Sequence, residues 1–235
     1  MGTSETIRIR KEENEMQVIY DDKPAPNISR LWNQFLKWSS FGGVVGPILF
    51  VVTFTVAGFF RPGYSPVYQA VSDLGVGDNG WILNASLVIL GLLMSGFAIS
   101  FYRTVRPEAS PALRFVTALL IALVGVGFAL AGIFPETTPM HWVVSAPLVF
   151  LGAPLAFLLT GLLLRGDRAW RGWAIYSLIA SLATVVLVPI LFYTFSPSTP
   201  PTAQVGGLME RVVFIEIFAW YVAFGWRQFR AQKEV

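Results

Sequence analysis

The side chains in this chain that are capable of chemistry collect at three places. The stretch RPGYSPVYQAVSDLGVGDNGW, residues 61–81, carries Arg61, Tyr64, Ser65, Gln69, Ser72 and Asp73. FPETTPMHW brings Glu136 and His141, and QVGGLMERVVFIE brings Glu210, Arg211 and Glu216, with Asn84 just past the first stretch. Ser72, Asp73 and His141 are the residue types of a hydrolytic triad, in which a base takes the hydroxyl proton and a carboxylate orients the base. Neighbours on a helix point about 100° apart, so Ser72 and Asp73 do not both serve one His141 in a simple triad. Ser65 or Ser72 with His141 and either Glu136 or Glu210 is the remaining arrangement of that kind. No nucleophile elbow and no glycine-rich oxyanion turn accompany it. A metal needs three or four ligands, and the chain has one histidine and no cysteine. No metal, no disulfide and no cofactor are therefore expected.

Long apolar runs separate these places and must position them. Of the 235 residues, 54% are hydrophobic and only 13% charged, with mean hydropathy +0.61. Soluble domains carry about 25% charged residues, so the chain belongs among membrane proteins. The expected fold is all-α: an integral membrane bundle of six transmembrane helices with short loops. The spans fall at about 39–60, 81–102, 113–134, 143–164, 173–195 and 211–229, each long enough for a hydrocarbon core of ~30 Å at about 1.5 Å per residue. They form one domain over 39–230. Residues 1–26, polar and mixed in charge, read as a flexible tail. Residues 27–38 read as an interfacial amphipathic helix, because Ile28, Leu31, Trp32, Phe35 and Leu36 recur at helical spacing. Residues 231–235 form a second tail.

Basic residues set the expected orientation. Fifteen Lys and Arg lie in 1–37, in the connections near 103–114 and 165–172, and at the C-terminal end, against two, Arg61 and Arg211, on the other side. Positive-inside logic places both termini in the cytoplasm and the stretch 61–81 outside a cell membrane. No basic patch interleaved with aromatics points to nucleic acid.

Within 61–81, Ser65 and Pro66 suit a helix start and Gly75 a helix stop. Val67, Ala70, Val71 and Leu74 would form its apolar face and Gln69, Ser72 and Asp73 its polar one. This predicts a short amphipathic helix at about 65–74 on the outer surface. Gly42 with Gly46, Gly91 with Ser95, and Gly125 with Ala129 have the spacing that lets membrane helices approach closely. Pro47, Pro147, Pro154 and Pro189 should bend their spans. Glu216 lies five residues past Arg211, about 7–8 Å deeper. An acid at that depth should face inward and pair with Arg61 or Arg211.

RPGYSPVYQAVSDLG, then FP and a histidine after the third span, then GLMERV opening the sixth, resemble the prokaryotic six-helix membrane family catalogued as domain of unknown function 998. The resemblance spans about residues 40–230. It implies a six-helix membrane protein and marks Tyr64, Ser65, Ser72, Asp73, Pro135, His141 and Arg211 as family-type positions. It supplies no reaction. The leading function is an outward polar pocket that binds or senses a lipid headgroup or small amphiphile. Arg61, Tyr64, Ser65, Gln69, Ser72, Asp73, Asn84, Glu136, His141, Glu210, Arg211 and Glu216 would form the pocket or its ion-pair network. The alternatives are an intramembrane lipid hydrolase or transferase using Ser72, Asp73 and His141, and a structural membrane subunit. The bilayer is the expected partner.

Overall fold

The computed structural model describes residues 7–12, 15–20 and 28–231, and divides into two compact units, Met1–Phe35 and Leu36–Val235. In the first unit, strands β1 (Ile7–Glu12) and β2 (Glu15–Tyr20) pair antiparallel, with Ile7 opposite Tyr20 and Glu12 opposite Glu15. Most of the other residues expected to form the two tails lie outside the described ones.

Among the described residues seven α-helices follow: α1 (Ile28–Phe60), α2 (Gly80–Thr104), α3 (Pro111–Ile133), α4 (Ala146–Phe150), α5 (Gly152–Leu164), α6 (Arg171–Phe195) and α7 (Gly206–Ala231). The stretches Ile28–Phe60, Gly80–Thr104, Pro111–Ile133, His141–Leu164 and Arg168–Phe195 are long and apolar enough to cross a membrane. The expected interfacial helix at 27–38 is not a separate element. No glycine or proline interrupts the chain between Ile28 and Phe41, and Ser40 Oγ bonds back to the Lys37 carbonyl at 2.6 Å, so α1 runs straight on as one helix of 33 residues.

The regular α-helix of the stretch His141–Leu164 is interrupted beside its prolines. Pro147 cannot donate to the Val143 carbonyl and Pro154 cannot donate to that of Phe150. A single π-helical turn, His141–Ser145, precedes the first, and the break between α4 and α5 precedes the second.

α7 packs one face deep in the second unit. Val213, Ile217, Trp220, Tyr221 and Phe224 are wholly buried. Trp220 Nε1 donates to Ser177 Oγ of α6 at 3.0 Å, and Tyr221 donates to the Ile121 carbonyl of α3 at 2.8 Å. At Gly225 the helix lies against the backbone of Ser40 and Gly43 of α1. Apolar segments in lipid gain little from burying more apolar surface, so close packing must hold such a bundle. The small residues supply it. A Cβ on Gly91 would lie 2.4 Å from the Gly125 carbonyl oxygen and 2.5 Å from the Ala129 nitrogen, so α2 and α3 touch backbone to backbone there.

Candidate functional site

At one end of the bundle the segments 61–79, 134–140 and 196–205 meet; at the other the basic connections meet. Arg106 donates to the Leu163 carbonyl at 2.8 Å, and the Arg227 guanidinium lies 3.2 Å from the centre of the Trp170 ring.

The polar end is built on the segment 61–79, which does not form the expected helix at 65–74. Turns run through it, with one 3₁₀ turn at Ser72–Gly75. Side chains explain the failure, because they take the backbone groups a helix would need. The Ser65 amide donates to Gln69 Oε1 at 2.7 Å, the Ala70 amide to Asp73 Oδ2 at 2.9 Å, and the Val71 amide to Glu210 Oε2 at 2.5 Å. Donors from elsewhere fill the carbonyls. Arg61 donates to those of Asp73 and Val76, Asn84 to that of Gly75 at 2.9 Å, and Arg211 to that of Pro66 at 2.9 Å. Tyr64 donates to the Ala70 carbonyl at 2.7 Å and accepts from Arg211 at 2.5 Å. Burial pushes the Tyr64 phenol up from its usual value, although the Arg211 bond pulls it down. The amide of Leu208 donates to the Val67 carbonyl at 3.0 Å, and Gly207 packs on Gln69 so closely that a Cβ would lie 2.1 Å from its carbonyl oxygen. α7 thus grips the segment with Gly207, Leu208, Glu210 and Arg211, and Val71 is left with no exposure at all.

Two of the cavities beside this segment hold acidic side chains. The larger of these two, about 370 Å³, is lined by Asp73, Glu136 and Glu210, by Gln69 and Ser72, and by the rings of Tyr68, Trp142, Phe150, Phe192 and Phe195. The smaller, about 60 Å³, shares Ser72, Trp142, Phe150 and Glu210 with it and reaches His141 and Ser145. Of the residues expected in a pocket, Gln69, Ser72, Asp73, Glu136 and Glu210 line the larger cavity, and His141 with Ser72 and Glu210 the smaller. Arg61, Tyr64, Ser65, Asn84 and Arg211 line neither; they hold the segment that forms the wall.

The expected pairing of Glu216 with an arginine is not found. Glu216 accepts from Thr184 of α6 at 2.7 Å, and its other carboxyl oxygen has no protein partner. Five residues along a helix turn about 140° beyond a full revolution. Arg211 therefore faces Phe54 and Tyr64, and Glu216 faces α6. The serine–histidine pair is also absent among the described residues. His141 Nδ1 bonds the Phe134 carbonyl at 2.8 Å, and Ser72 Oγ donates to Glu136 Oε2. No group of three metal-ligating side chains occurs among the described residues. Ser145, absent from the expected set, lies four residues beyond His141, the spacing that puts two helical side chains on one face. That spacing was the available signal.

Burial raises the Glu136 carboxyl to about 7. The adjacent Asp73 adds to the rise, and the Ser72 bond and Arg61 oppose it. The folded protein therefore holds the Glu136 proton more tightly than the unfolded chain does, and stability falls as pH rises from about 4.5 to about 7. With Asp73, Arg61, Ser72 and Glu210 facing it, Glu136 should show this directly. The melting temperature in neutral detergent should be higher at pH 5 than at pH 8, and Glu136→Gln should reduce that difference. An unchanged pH slope in the variant would remove Glu136 as its source.

Among families of known proteins, one described as Protein of unknown function (DUF998) matches residues 44–227. No curated protein and no solved structure matches the chain.

Proposed function

Because the chain belongs to the DUF998 family, whose description names no reaction, we propose a function from the geometry of its own residues: a six-span membrane protein whose outward pocket binds or senses the head of a lipid or small amphiphile. The observation that carries this is the cavity of about 370 Å³, whose lining combines three carboxyls with aromatic rings. Sites for small ligands run about 300–1,000 Å³ and combine apolar walls with a few convergent polar groups. The sixth span is α7. Its 26 residues extend about 39 Å; Glu210 is buried and Glu216 bonds Thr184 of α6, which turns these acids away from lipid.

The orientation follows from the two ends. Arg106, Arg165, Arg168 and Arg227 lie at the end opposite the pocket, so the positive-inside rule puts both termini in the cytoplasm and the pocket outside. Single cysteines at Asn79 and Ser198 should react with an impermeant thiol reagent on intact cells, and one at Gly166 should not. The reverse pattern would place the pocket inside. The binding test is mass spectrometry of the purified protein with retained lipid. A bound amphiphile should be displaced when Trp142 is replaced by alanine, and its persistence would place it elsewhere.

The runner-up is a lipid hydrolase or transferase, favoured by the Ser72–Glu136 bond. A carboxylate at about 7 is suited to take a hydroxyl proton at neutral pH. Turnover of the bound amphiphile, lost in Ser72→Ala, would put this reading first.

A further inference from the structure

We propose that the pocket's ligand is an amphiphile with a cationic amine head. The proposal rests on the binding reading above and adds the sign of the charge.

The outer end of the protein has two arginines and several acids, and the fold sorts them. Arg61 is held by the carbonyls of Asp73 and Val76, Arg211 by those of Pro66, Gln69 and Gly207 and by Tyr64. Both guanidinium groups are bonded to backbone oxygens and neither lines the cavity, so Arg61 acts on Glu136 only from behind the wall. The wall carries Asp73, Glu136 and Glu210, with no cationic side chain among its lining residues. A phosphate or carboxylate entering here would meet acids of its own sign. A protonated amine would meet carboxyls that accept its N–H groups in charge-assisted hydrogen bonds.

The aromatic part of the lining fits the same head. Tyr68, Trp142, Phe192 and Phe195 present rings to the cavity, and aromatic faces attract cations through their quadrupole. Trp142 is fixed by its indole N–H, which donates to the Glu136 carbonyl at 3.0 Å. One carboxyl-bearing residue therefore orients a ring of the cage.

An independent observation comes from the smaller cavity. Ser145 is 1% exposed and its hydroxyl has no partner in the protein. It lines the space that continues from the acids past Ser72 and Glu210. A buried hydroxyl left without a partner is costly, and an amine N–H reaching past the acids supplies the missing bond. At about 60 Å³ this inner space has room for roughly four to six water-sized groups. Most of its lining is apolar, and its polar side chains are Ser72, His141, Ser145 and Glu210, with Trp142 beside them.

The test uses the full chain in dodecyl maltoside, with thermal unfolding as the readout. Dodecylammonium, phosphatidylethanolamine, phosphatidylglycerol and dodecanol are each titrated at low mole fraction. Dodecylammonium should raise the melting temperature saturably. Phosphatidylethanolamine doing the same identifies an amine-bearing lipid head as the source, and its failure identifies a free amphiphilic amine. The titrations are run at pH 8, above the Glu136 value of about 7, where Glu136→Gln keeps the Ser72 hydrogen bond and removes a charge. Tyr68→Ala alters an exposed wall residue that folding does not need. Each should weaken the dodecylammonium effect about tenfold, which corresponds to about 1.4 kcal/mol. Equal protection by phosphatidylglycerol or dodecanol would overturn the cationic assignment and leave the pocket reading standing. No protection by any of the four, in wild type or variants, would overturn both.

Discussion

Replacing Arg211 with alanine should release the outer segment from α7 and lower stability by about 2–4 kcal/mol. The guanidinium donates to the Pro66 carbonyl at 2.9 Å and to Tyr64 at 2.5 Å, while also bonding its own helix at Gly207. Hydrogen bonds from charged donors contribute about 1.5–3 kcal/mol each, and the partial exposure of this pair holds the estimate below their sum of about 3–6 kcal/mol. Lysine should recover only part of the loss, because a single ammonium lacks the planar fork that reaches several acceptors. A local readout separates release of the segment from general unfolding. The chain has no cysteine, so Val71→Cys introduces the single thiol, at a site with no exposure. That thiol should resist modification in the otherwise wild-type protein and react readily when Arg211→Ala is added. Unchanged melting together with a protected thiol would show that Glu210 and Gly207 hold the segment without the arginine.

The second large effect lies in the helix packing. Gly91→Ala should destabilise the bundle by about 2–3 kcal/mol, the range of overpacked cores. The new methyl would stand 2.4 Å from the Gly125 oxygen, 2.5 Å from the Ala129 nitrogen and 2.6 Å from the Ala129 Cβ. These are fixed parts of α3, so no flexible side chain can yield and the helices must separate. Gly96→Ala, five residues along the same helix, is the control, since nothing lies within 4 Å of its added Cβ. Alanine is the better helix former by about 0.8–1 kcal/mol, so that change should be neutral or mildly stabilising. Similar melting shifts for the two variants would mean that α2 and α3 do not cross at Gly91.

Much of the architecture is written in local chemistry. Apolar runs of membrane length and the scarcity of charge determine an α-helical membrane protein, since backbone groups in lipid must be satisfied within each segment. Pro147 and Pro154 mark the interruptions of the stretch 141–164 because a missing N–H acts where it stands. Gly91 and Gly125 mark a close crossing because only a missing Cβ admits another backbone.

Of the expected pocket residues, Gln69, Ser72, Asp73, Glu136, His141 and Glu210 line the two cavities, while Arg61, Tyr64, Ser65, Asn84 and Arg211 brace the segment beside them, a division that spacing does not give. The apolar spacing of Val67, Ala70, Val71 and Leu74 fits a helix, yet the segment is not one. The acceptor of the Val71 amide comes from Glu210, and the donor to the Pro66 carbonyl from Arg211, each more than 130 residues away. Periodicity reports which face is buried and is silent on which distant groups compete for the backbone. Glu216 shows the same limit. Its depth along α7 follows from helical rise, but its partner follows from rotation, and rotation sends it to Thr184. Tertiary structure alone decided that the arginines would be consumed as struts and the acids left to face the cavity. Which charges meet one another depends on how helices far apart in the chain are turned, and no local pattern encodes that.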